Sequence, residues 1–105
     1  MTTRDLIDIL DIRNKEALAY CGILKEKFDV GLLSIEDLQT MVDNLCDNMA
    51  NSFIEKYKNY LEKDSIRLEI RRYLVNMGAN RQHSGKRVQE ALYKKLNVFE
   101  NQLEK

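Results

Sequence analysis

Apolar positions recur along the first part of the chain at alternating spacings of three and four: Ile7, Leu10, Ala17, Cys21, Leu24 and Phe28, with the polar Asn14 in line among them. That period is the signature of one buried face of an α-helix, here over residues 4–28. Thr2 or Thr3 stands as its cap, with Asp5 in the first turn. A second apolar stripe, Ile9, Ile12, Tyr20 and Ile23, lies about 120° around the same helix. Gly22 falls inside the helix, where glycine costs about 1 kcal/mol relative to alanine, so a close approach or a kink is expected there.

Ser34 as cap, Asp37 at the third helical position and a Leu33–Leu38 staple mark the next helix start. From Leu38 a drifting face runs through Met41, Val42, Leu45, Met49, Phe53, Tyr57 and Tyr60, predicting a helix over 35–63. Ile66, Ile70, Tyr73, Leu74 and Met77 then form a stripe out of phase with it. Asp64 and Ser65 are suitable caps, so the phase jump predicts a break and a third helix over 66–77. Gly78 suits a left-handed helix end, and Ser84 suits the cap of a last helix over 85–103 carrying Val88, Leu92, Leu96, Phe99 and Leu103. Gly31, Gly78 and Gly85 divide these pieces. Four helices with short connections predict an all-α antiparallel bundle, one domain over 1–105.

Composition agrees with this pattern. The 105 residues include no proline and only four glycines, and they are 44% hydrophobic and 32% charged. That is too apolar for disorder and too charged for a membrane-embedded chain. No run approaches a membrane span and the N-terminus does not read as a signal peptide, which makes a cytoplasmic location the expectation. Two cysteines are too few for a disulfide framework, and neither stands at metal-ligand spacing from another cysteine or the single histidine. Cys21 and Cys46 read as small core hydrophobes.

The zero net charge hides an asymmetry. Residues 1–64 carry 8 basic and 13 acidic side chains, and residues 65–105 carry 9 and 4. Arg67, Arg71, Arg72, Arg81, Lys86, Arg87, Lys94 and Lys95, with Tyr73 and Tyr93 among them, could neutralise phosphates and stack on bases. Lys86 and Arg87 also fall in the first turn of the last helix, where the helix dipole disfavours cations. Together with Arg81 and His83 they define a candidate anion site at that helix start.

Catalytic patterns are missing. His83 lacks a glutamate three residues before it, HExxH does not occur, and the Gly85–Lys86 pair lacks the rest of a phosphate-binding loop. No carboxylate pair has the contrasting surroundings that acid–base chemistry requires. The expectation is therefore a non-enzymatic helical interaction module, regulatory or assembling, that acts as a homo-oligomer, binds another protein and needs no cofactor or metal. Ile9, Ile12, Tyr20 and Ile23 on the first helix, and Leu68 and Val75 on the third, are its candidate interface. The alternative is a small nucleic-acid-binding regulator using residues 65–105.

Overall fold

A computed structural model describes residues 1–78 and 83–104. Four helices account for almost all of them: α1 (Thr3–Asp29), α2 (Ile35–Leu61), α3 (Asp64–Gly78) and α4 (His83–Leu103). Among the described residues there is no strand. The two 27-residue helices α1 and α2 form an antiparallel hairpin, each about 40 Å long at 1.5 Å per residue, and set the 46 Å long axis of the molecule.

The local signals explain where the hairpin begins, turns and resumes. At the start of α1, Thr2 Oγ1 accepts from the Asp5 backbone N–H (3.1 Å), while Asp5 Oδ2 accepts from the Thr2 N–H (3.0 Å). This reciprocal box satisfies two backbone donors that the helix leaves unpaired. At the other end Gly31 takes φ +82°, a left-handed geometry that suits glycine. Its N–H reaches the Phe28 carbonyl (3.0 Å) and the Leu32 N–H reaches that of Lys27 (2.8 Å), a Schellman closure. Ser34 Oγ then accepts from the Asp37 N–H (3.0 Å) and starts α2.

One core joins all four helices. Leu6, Leu10 and Ala17 of α1 meet Phe53, Ile54, Tyr57 and Leu61 of α2, Ile70 and Leu74 of α3, and Val88, Leu92 and Leu96 of α4. The α1 stripe is buried from Leu10 through Leu24, but its first member is Leu6, with Ile7 only half-buried. On α2 the expected face is too narrow. Met41 and Tyr60 are exposed, while Cys46, Ala50, Ile54 and Leu61 are buried, because α2 packs on both α1 and α4 and so needs a wider apolar arc. Tyr57 leaves helical geometry (φ −112°, ψ 18°) and kinks α2 one turn before its end.

The break after α2 is real, and a buried arginine holds it. The last carbonyls of a helix have no partner within it. Arg67 Nη1 donates to the carbonyls of Leu61 (2.7 Å) and Glu62 (2.8 Å), so the guanidinium closes the end of α2 from the first turn of α3. α4 begins at His83, earlier than expected, which places Ser84 and Gly85 within its first turn; Ser84 is not the cap. Gly78 is the last residue of α3.

Candidate interaction surface

Three of the basic residues of the second half of the chain, Arg67, Arg71 and Arg87, are drawn into the fold. Arg67 is only 4% exposed. Besides the two carbonyls, it contacts Asp64 through Nη2 and donates through Nε to Glu100 Oε1 (3.4 Å). Arg71 donates to Glu100 and to Asn97 Oδ1 (3.0 Å), which locks α3 to α4. Arg72 pairs with Glu69 (2.6 Å) one turn earlier on the exposed side of α3. Tyr73 donates to Asp11 Oδ1 on α1 (2.7 Å), and Tyr93 donates to the Arg71 carbonyl (3.2 Å). Both tyrosines are partly buried against the core and are not free stacking platforms.

Arg87 bonds to Asp43 of α2. With α4 beginning at His83, Arg87 is its fifth residue, just past the first turn. A cation near the helix start is still disfavoured by the helix dipole, and the carboxylate of a neighbouring helix offsets that cost. Arg81 lies outside the described residues, as does the side chain of His83. Lys86 and Lys94 are exposed and Lys95 is half-buried, and none of the three forms an ion pair with another described residue. They do not converge either: at 100° per residue, Lys86 and Lys95 stand about 180° apart on α4.

An open groove of ≈ 790 Å³ at the α3–α4 end is lined by Glu62, Asp64, Arg67, Arg71 and Glu100, with Leu68 and Leu103 beside them. Two of its carboxylates, Asp64 and Glu100, are already engaged by Arg67 and Arg71. The hydrogen bond from Arg71 holds the Glu100 carboxyl below the usual glutamate range, opposite to what a general acid at neutral pH requires.

The outer face of α1 is different. Ile12 is 57% exposed, Tyr20 52% and Ile23 50%, all from the second stripe read from the sequence. Ile9, assigned to the same stripe, is only partly buried and packs against the core, since it sits nearer the buried arc than Ile12 does. Ala19 and Gly22 are exposed within the same stretch, and a Cβ added at Gly22 would meet nothing within 4 Å. The glycine therefore serves no close approach inside this chain. Val30, just past the helix end and 72% exposed, continues the line of Ile12 and Ile23; its loop position hid it from helical periodicity. Leu68 and Val75 are exposed on α3 as a separate patch.

Both cysteines are buried, Cys21 on α1 and Cys46 on α2. Their thiols interact across the hairpin, and burial pushes Cys21 up and Cys46 up to about 12. Asn14 is also buried, and its Oδ1 has no hydrogen-bond partner among the described residues. Compared with protein-family models, curated proteins and solved structures, the chain matches none. Among the described residues, no helix is long and apolar enough to cross a membrane.

Proposed function

We propose that this chain is a non-enzymatic helical interaction module that associates with a second copy of itself through the outer face of α1. The observation that carries the reading is the half-exposed line Ile12, Tyr20 and Ile23, with an exposed Ala19 among them and a Gly22 at which an added Cβ would meet nothing within 4 Å. Exposed apolar groups in a row on one helix are an interaction feature when they form a contiguous patch, as isolated surface hydrophobes are not. The small Ala19, between Ile12 and Ile23 on that face, lets a second helix come close.

The charges along α1 favour a like partner. In an antiparallel pairing that sets Ile12 against Ile23 of the second copy, Asp8 falls opposite Lys27, because both pairs of residue numbers add to the same total. The two-fold axis makes each contact twice. A helix about 40 Å long laid along its copy offers an area on the scale of the ~800 Å² per partner of a standard interface, if flanking residues of the hairpin loop join in. The basic helices support the nucleic-acid reading less, since Arg67, Arg71, Arg72 and Arg87 already have acidic partners in the chain.

Sedimentation velocity tests the proposal. The wild-type chain should sediment as a dimer or larger at high micromolar concentration. Ile12→Glu with Ile23→Glu should sediment as a monomer with its helical circular dichroism intact. A wild-type monomer under those conditions would overturn the proposal.

A further inference from the structure

The register of the α1–α2 hairpin places the only two cysteines of the chain against each other. In an antiparallel helix pair, facing residues have numbers that add to a constant. The buried residues of the two helices obey this one after another: Leu10 with Tyr57, Asn14 with Phe53, Ala17 with Ala50, and Cys21 with Cys46. Cys21 is 4% exposed and Cys46 2%. The thiols are close enough to interact. One turn away on both helices stand Ala17 and Ala50, also buried, and a seam of alanine and cysteine brings two helices to the close end of the usual 8–10 Å separation. A disulfide needs such closeness, with Cα atoms no more than about 7 Å apart.

We propose that Cys21 and Cys46 are a disulfide-forming pair, a covalent modification site that locks the α1–α2 hairpin when the chain meets a low-molecular-weight disulfide. One cysteine thiolate attacks a sulfur of the small disulfide and releases its first thiol, forming a mixed disulfide. The second cysteine thiolate then attacks the protein sulfur of that mixed disulfide, forming the Cys21–Cys46 bond and releasing the second thiol. The two cysteines lose two electrons, the small disulfide gains them, and the two cysteine protons leave as those of the released thiols. Burial keeps both cysteines protonated in the closed bundle, so exchange proceeds when the hairpin is open, during folding or on local opening. The closed loop of roughly 25 residues removes conformational freedom from the unfolded chain, which is how such a bond stabilises.

The test uses the whole chain, unfolded in denaturant and diluted into native buffer containing reduced and oxidised glutathione, so that both thiols are accessible. The expected product is a monomer lacking two hydrogens by intact mass, with Cys21 and Cys46 linked in its peptide map. Its melting midpoint should rise by on the order of 10 °C, reversed by dithiothreitol. Cys21→Ala and Cys46→Ala, each checked for helical content, should show neither the link nor the rise. Glutathione left on either cysteine as the end product, a link between two chains, free thiols throughout, or a link that does not raise the midpoint would each overturn the proposal. These results come from the wild-type chain alone, so they hold even if an alanine variant fails to fold.

Discussion

On the seam between α3 and α4, Arg67 and Arg71 are held by carboxylates and carbonyls of the same chain; on the outer face of α1, Ile12, Tyr20 and Ile23 lie half in solvent. The two regions invert their appearance in the sequence. The basic second half looks like a surface prepared for a polyanion, yet Arg67 closes a helix end and Arg67, Arg71 and Arg87 join neighbouring helices. The second stripe of α1 looks like a surplus of core, yet most of it stays outside. Charge on this seam is spent on internal geometry, and on α1 it is apolar area that stays exposed.

The strongest way to break that contrast is to remove Arg67. Arg67→Ala would leave the carbonyls of Leu61 and Glu62 without their donor and the Glu100 carboxylate with Arg71 alone, and truncating one member of a buried charged set costs about 3–5 kcal/mol. Denaturant unfolding should show a loss of this size. A change below about 1 kcal/mol would make the arginine a surface residue in energetic terms and restore it to the pool available for ligands.

Ser34→Ala should cost about 0.5–2 kcal/mol by orphaning the Asp37 N–H, with no effect on association. Lys86→Glu with Arg87→Glu sharpens the contrast in the other direction. By the dipole argument alone, acids at the start of α4 should be neutral or stabilising. Arg87, however, bonds to Asp43, and Arg87→Glu sets two carboxylates together, so thermal melting should show a net loss of up to about 1 kcal/mol.

Acid should weaken both the α3–α4 seam and the start of α1. Glu100 is held below its ordinary range by the Arg71 hydrogen bond, and Asp5 by its backbone and side-chain bonds with Thr2. A carboxyl lowered in the folded state binds its proton more readily in the unfolded chain. The stability it contributes is therefore complete above the unfolded-state value and is lost as pH falls through the folded one. The melting midpoint should hold near neutrality and drop below about pH 5, and Glu100→Gln should flatten part of that drop.

The smallest effect belongs to Gly22. Gly22→Ala should stabilise the isolated chain by about 0.5–1 kcal/mol, since helix propensity favours alanine and the added Cβ meets nothing within 4 Å. The same change should weaken self-association if a second helix lies against that glycine.

Much of the fold was legible because local chemistry and periodicity agree. The Ser34 cap, the Gly31 turn and the stripe from Leu10 to Leu24 stand where the residues place them. The break at the phase jump is present, although α2 ends at Leu61 and α3 already begins at Asp64, so that Asp64 and Ser65 lie inside α3 and do not cap it. The exchange of Ile7 for Leu6, and of Met41 and Tyr60 for Ala50, Ile54 and Leu61, depends on how many neighbours each helix has, which a single helix's pattern does not contain. Ser84 and Gly85 read as a helix start from residue type alone, although α4 already begins at His83. Of the candidate sites, the α1 stripe was legible apart from Ile9 and Val30. Three pairings were not: Arg87 with Asp43, Arg71 with Glu100, and Cys21 with Cys46. Each joins positions brought together only by the hairpin and by the packing of α4.

The most direct measurement of the central claim is a dilution series of amide NMR spectra, in which each residue reports its own surroundings. Self-association through α1 requires that shifts and line widths change with concentration at Ile12, Ala19, Tyr20 and Ile23, while Arg67, Arg71 and Arg87 stay constant. Concentration dependence confined to α3 and α4, or none across the micromolar to millimolar range, would contradict it.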